Sequence, residues 1–241
     1  MSPAPPLAGR LALVTGASRG IGAAVARRLA SSGARVAVLA RSADALQALV
    51  QEIGGGAIAL ACDVRDPGAL VRALDSLPDR LGGSPDIVVN NAGAFFVAPA
   101  RETSVDAFAE TMAVNLIAPF AVVRALLPAM TASREGHVVT IGSIADRMAF
   151  PGNAAYAASK YGLRALHEVL RAELKASGVR VSLVSPGPVD TTLWNAIDVD
   201  AQPGYTPRSE MLSAASVAEV VHWVVTAPAG VNVDELRLSR S

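Results

Sequence analysis

The chain has 241 residues, with 21 basic and 21 acidic side chains and therefore no net charge. That balance offers no basic surface for tracking a phosphate backbone, which argues against a nucleic-acid binder. A single cysteine excludes an internal disulfide framework and, with only three histidines, gives no metal-ligand spacing.

Residues 1–10 read as a short Pro-containing arm without the charged flank and apolar stretch of a signal peptide. No uninterrupted apolar run approaches the ~18 residues of a membrane span, so the expectation is a cytoplasmic protein. Short apolar runs predict strands over 11–15, 35–40, 57–62, 86–90, 137–142, 179–185 and 233–238. Several are apolar on both faces, as strands of a parallel sheet covered by helices on each side must be.

Helical patterns fill the gaps. The first covers 20–32 and stops at Gly33; the second starts after Ser42. Asp66-Pro67 opens the third, Thr103-x-x-Asp106 the fourth and Ser216-x-x-Glu219 the last, as N-cap and capping-box signals. Pro119 should kink or shift the long fourth segment, and the fifth helix covers 154–177. Repeated strand–helix alternation predicts one doubly wound Rossmann domain over 1–241, a parallel sheet of about seven strands with helices on both faces. The irregular stretch 186–208, rich in Pro, Gly and Thr, reads as a lid or binding loop extending to about 210, with a solvated linker as the alternative.

Between the first strand and first helix lie Thr15, Gly16, Ala17, Ser18, Arg19, Gly20, Ile21 and Gly22. Such glycines allow a tight turn and a close approach to a pyrophosphate, and the helix N-terminus supplies free N–H groups. The same residues fit G-x-S-x-G, the nucleophile elbow of α/β hydrolases. That reading fails here because the turn follows the very first strand and the last histidine, His222, sits on a helix. The second strand ends in Ala40-Arg41-Ser42, where an acid would bind a ribose 2′-hydroxyl and an arginine accommodates a 2′-phosphate. Arg41, with Arg19 nearby, therefore points to NADP(H); the alternative for both is a solvated surface. Asp63-Val64 follows the third strand, where a side-chain acceptor meets an adenine amino group or simply starts a turn.

At the other end of the crevice, Tyr156 and Lys160 are four apart on a helix and share a face. Ser143 closes the fifth strand, where a hydroxyl can donate to a carbonyl oxygen or cap a turn.

Together these motifs, with Asn90-Asn91-Ala92-Gly93, Asn115 and Pro186-Gly187-x-x-x-Thr191, resemble the short-chain dehydrogenase/reductase family over almost the full chain. The resemblance implies that Tyr156 is the acid–base residue. An ammonium ~4 Å away at an effective dielectric of ~20 supplies the ~4 kcal/mol that brings a phenol from ~10 towards neutrality. It implies that Lys160 also binds the nicotinamide ribose and that Asn115 holds a water leading from the lysine to solvent. Asn91, Ala92 and Gly93 would support the adenosine side, and Pro186, Gly187, Val189 and Thr191 the nicotinamide side.

The implied activity is hydride transfer between NADPH and a small carbonyl or secondary alcohol, of carbonyl reductase or 3-hydroxy acid dehydrogenase type. A 3-oxoacyl-(acyl-carrier-protein) reductase is the alternative, made less apt by a C-terminal Val231-Asn232-Val233-Asp234-Glu235 in place of a glycine-rich segment. A non-catalytic NADP-binding regulator is the alternative of another class. Phe95, Phe96, Met148, Phe150, Leu193 and Trp194 would form an apolar pocket wall or, equally, core and subunit contacts. Relatives of this kind are commonly homodimers or homotetramers.

Overall fold

The computed structural model describes residues 4–228 and 230–241. Seven parallel strands form the central sheet: β1 (Leu11–Thr15), β2 (Arg35–Ala40), β3 (Ile58–Ala61), β4 (Ile87–Asn90), β5 (Gly136–Ile141), β6 (Val179–Pro186) and β9 (Glu235–Leu238). Their order is β3-β2-β1-β4-β5-β6-β9. Two short strands, β7 (Val189–Asp190) and β8 (Leu212–Ser213), pair outside it.

Side chains alternate across the sheet because the strand period is two. Ala12, Val14, Val36 and Val38 enter one apolar layer with Leu29, Val221 and Val224. Leu13, Ala37, Leu39 and Val88 enter the other with Val122, Met130 and Leu170. Helices α1 (Gly20–Ser31) and α8 (Ala214–Val225) cover the first face. Helices α6 (Ala118–Ser133) and α7 (Ala154–Glu173) cover the second. Leu7, in the amino-terminal arm, is buried and its N–H donates to the Ser32 carbonyl, so this part of the arm is docked; residues 1–3 lie outside the description.

Several element ends move from where the sequence puts them. The third helical pattern breaks at Ser76 into α3 (Pro67–Asp75) and α4 (Leu77–Leu81), with Pro78 in the first turn of the second piece. The fourth is capped by Ser104, whose hydroxyl accepts from Ala107 N at 3.1 Å, not by Thr103. The last is capped by Ser213 rather than Ser216, at 3.0 Å from Ser216 N. Ser104 lies one residue after, and Ser213 three residues before, the position the motif suggested; each has extended backbone and an oxygen within reach of the first turn. Pro119 falls at the start of α6, and the irregularity precedes it. A π-turn, Ala113–Ile117, joins α5 (Val105–Met112) to α6.

The combined Val105–Ser133 helix, 29 residues with an 18-residue stretch of mean hydropathy 1.7, is long and apolar enough to cross a membrane. In this fold its Ala118, Val122, Val123, Leu126 and Met130 instead pack into the second apolar layer. The 186–208 stretch is not structureless: it carries β7 and a 3₁₀ turn over Thr192–Trp194.

Candidate active site

In the strand order, β1 and β4 are neighbours although β2 and β3 lie between them in the chain. This reversal opens a crevice beyond their carboxyl ends. A cavity of about 1410 Å³ occupies it, larger than the ~300–1,000 Å³ of pockets for drug-sized ligands.

The glycine turn forms one lip. Gly16 has φ +65°, and a Cβ there would lie 2.7 Å from Ala92 Cα. At Gly22 a Cβ would meet Gly16 O at 2.4 Å and Asn91 Nδ2 at 2.5 Å. The turn and the end of β4 are thus interlocked. Asn91 Nδ2 donates to Thr15 O and Gly16 O at 3.0 and 3.2 Å, while Thr15 Oγ1 accepts from Asn91 N and Ala92 N, each at 3.0 Å. Helix α1 begins at this lip with no side-chain cap and no acid in its first turn. Its first N–H groups, which no helical carbonyl can satisfy, suit an anion.

Gly16, Ser18, Arg19, Gly20, Ile21, Arg41, Asp63 and Val64 line the cavity, as do Asn91, Ala92, Gly93, Pro186, Gly187, Val189 and Thr191. Gly22 lies behind them as a packing position. Arg19 and Arg41 are exposed and form no ion pair among the described residues, whereas many other arginines do. The carboxylate of Asp63 is held by Arg65 at 2.7 Å, which keeps it below its ordinary pKa; Arg65 also reaches Glu110 at 3.2 Å. Sequence reasoning passed over Arg65 and Glu110 because neither belongs to a motif. The basic residue directly beyond Asp63-Val64 was the available signal.

Ser143, Tyr156 and Lys160 line the same cavity. Ser143 Oγ accepts from Ala145 N at 3.1 Å, capping the 3₁₀ turn Ile144–Asp146. The two sequence readings of this serine are compatible, since accepting from Ala145 leaves its O–H free to donate. Tyr156 is half-buried, its ring edge-on to Phe95 at 4.9 Å between centroids. Lys160 is buried, its Nζ donates to Ile141 O at 3.0 Å, and it sits 5.7 Å from the centre of the Tyr156 ring.

The electrostatics of the pair differ from the expected close ammonium–phenol contact. Burial pushes the Tyr156 phenol up, Ser143 pulls it down, and the carboxylate of Asp146 pushes it up. Burial lowers Lys160 to about 8, and Asp146 counters that fall. Lys160 is engaged with a strand carbonyl, and desolvation dominates the phenol. Asp146 was missed in the sequence. It is fully buried, accepting from Ser185 Oγ at 2.6 Å and paired with Arg147 at 2.7 Å.

Asn115 is not on the cavity wall. Its Oδ1 accepts from Ala94 N at 2.8 Å, and its Nδ2 donates to Ala94 O and Ser159 Oγ, each at 2.9 Å. Ser159 in turn donates to Tyr156 O at 2.7 Å. The side-chain amide is thus satisfied by protein groups, tying the end of β4 to the helix that carries Tyr156. Phe95, Phe96, Phe150, Leu193 and Trp194 form an apolar wall; Met148 is exposed and lies outside it. Ser18 has no histidine beside it. The ring of His222 faces Arg28 and Ser32 at 2.9 and 3.0 Å, which removes the hydrolase reading.

Comparison with known proteins agrees with this architecture. The bovine dehydrogenase/reductase SDR family member 7B is 36% identical over 198 residues, 78% of this chain, and the matched region spans only 61% of that protein's length. An NADP-dependent 3-hydroxy acid dehydrogenase of Salmonella typhi is 33% identical over 95% of this chain and 94% of its own. A metagenomic short-chain oxidoreductase solved in complex with NADP superposes with a TM-score of 0.83 at 35% identity, covering 98% of this chain and 99% of the other. The family model for short chain dehydrogenases matches residues 10–202, and with the seven-stranded parallel sheet around its crevice the chain belongs to that family of oxidoreductases.

Proposed function

We propose that the chain is an NADPH-preferring oxidoreductase that interconverts a small carbonyl compound and its alcohol. The observation that carries this reading is the convergence of Ser143, Tyr156 and Lys160 on one cavity whose far end holds the glycine turn and two arginines without carboxylate partners.

The residues fit a dinucleotide. A Cβ would fill the turn at Gly16, the uncapped start of α1 suits a pyrophosphate, and Arg41 with Arg19 suits a 2′-phosphate. Ile21, Asp63, Val64 and Asn91 to Gly93 would hold the adenosine half, and Pro186, Gly187, Val189 and Thr191 the nicotinamide half. When bound, the nicotinamide supplies the hydride.

Tyr156 donates the proton to the carbonyl oxygen in the reductive direction. Its raised pKa keeps it protonated and ready to do so. Ser143 donates its free O–H to the same oxygen and stabilises the charge that develops there. Lys160, protonated below about pH 8, holds the ribose and returns a proton to the phenolate. Asn115 acts as a positioning residue: through Ala94 and Ser159 it fixes both the Phe95 segment and the backbone of Tyr156.

We read the protein as cytoplasmic and homo-oligomeric. Phe108, Ile117, Phe120 and Tyr161 are exposed apolar side chains on α5, the adjoining π-turn, α6 and α7, a surface a second copy would cover. A non-catalytic NADP-binding regulator would not need the three-residue constellation. Tyr156→Phe should abolish NADPH oxidation by any carbonyl while leaving NADPH affinity within about twofold, as the phenol acts on the transition state rather than on cofactor binding. Steady-state rates alongside a fluorescence titration of NADPH measure both, and an active Phe variant would falsify the assignment.

A further inference from the structure

Resting on the reductase reading above, we propose that the substrate is a neutral carbonyl compound carrying an aromatic ring, and that carboxylate substrates are excluded.

The chain is only 4% aromatic, with five Phe, three Tyr and two Trp. Six of these ten rings, Phe95, Phe96, Phe150, Tyr156, Trp194 and Tyr205, line the one cavity. The other four, Phe108, Phe120, Tyr161 and Trp223, are all exposed on helices. The rings in the cavity are ordered as well as concentrated. Phe95 stands edge-on to Tyr156 and to Trp194, both at 4.9 Å, and Trp194 stands edge-on to Tyr205 at 6.3 Å. Trp194 Nε1 donates to Val189 O at 3.0 Å, which fixes the indole against the carboxyl end of the crevice. A series of edge-to-face rings leading away from the acid–base phenol is a receptor for another planar ring.

Charge points the same way. The cations that line the cavity are Arg19, Arg41, Arg65 and Lys160. The three arginines follow β1, β2 and β3, the adenosine half of the sheet, and Lys160 is bonded to Ile141 O. Two arginines outside the aromatic end are held by carboxylates: Arg147 by Asp146 and Glu235, and Arg208 by Asp190. Asn153 Oδ1, buried in that wall without a partner, adds an acceptor and not a cation. A substrate carboxylate would be desolvated among rings with nothing to pair with. This separates the chain from a 3-hydroxy acid dehydrogenase even though such an enzyme is among its relatives.

The test is a matched set of ketones with NADPH: methyl benzoylformate, neutral and aromatic; benzoylformate, its anion; and ethyl pyruvate, neutral without a ring. The expected kcat/KM for the aromatic ester exceeds that for the anion by about a hundredfold or more, since an unpaired buried charge costs several kcal/mol. It exceeds that for ethyl pyruvate by about tenfold, and Trp194→Ala narrows this second ratio by about threefold to tenfold. Equal or faster turnover of benzoylformate, or no preference for the ring, overturns the proposal. Turnover of none of the three would count against the reductase reading. Quenching of Trp194 fluorescence in a Trp223→Phe background would then decide separately. Quenching by acetophenone and not by benzoate upholds the aromatic neutral site; the reverse order, or quenching by neither, sinks it.

Discussion

Replacing Lys160 by methionine should remove activity and yet relieve the fold of a buried charge. Lys160 is only 6% exposed, and burial brings its ammonium from 10.5 to about 8. At ~1.36 kcal/mol per unit, that difference is a penalty of about 3 kcal/mol on the folded state. The sign follows from proton counts. Between about 8 and 10.5 the unfolded chain binds the proton and the folded chain does not, so stability rises with pH across that window. Below it the penalty is complete; above it the lysine is neutral in both states and the penalty is gone.

Methionine matches the stem and carries no charge, but it deprives Ile141 O of its donor at 3.0 Å, a loss of about 1–3 kcal/mol. Near neutral pH the variant should therefore be about as stable as the wild type or up to about 2 kcal/mol more stable. The cleaner quantity is the difference between the two proteins, which should move by about 3 kcal/mol in favour of the wild type as pH passes through the window. Urea unfolding at a series of pH values measures it. Parallel stability curves for the two proteins would refute the claim that the folded state depresses this lysine.

Arg41→Asp should weaken NADPH far more than NADH, by tenfold or more in the ratio of their KM values, because a bidentate partner is exchanged for a like charge; equal losses for both cofactors would place the phosphate elsewhere. Gly22→Ala should cost at least about 2 kcal/mol in urea unfolding and weaken NADPH, since its Cβ would sit 2.4 Å from Gly16 O and 2.5 Å from Asn91 Nδ2. A fully stable Gly22→Ala protein would mean the turn is not interlocked with the end of β4.

The linear chain already held what depends on near neighbours. Continuous apolar runs such as Leu11–Thr15 determined the strands, because burial on both faces leaves little choice of residue. Glycines at 16, 20 and 22 marked the tight turn after β1, since the close packing at Gly16 and Gly22 leaves no room for a Cβ. Four-residue spacing put Tyr156 and Lys160 on one helical face. What the chain could not announce depends on residues far apart in sequence. Asn115 turned inward because a π-turn aims its amide at Ala94 and Ser159, and Met148 left the apolar wall to face solvent. Asp146 became the buried neighbour of Tyr156 and Lys160 only because β6 brings Ser185 against it. The phenol rises in pKa instead of falling for the same reason: desolvation is set by everything that packs around a group, which no local spacing records.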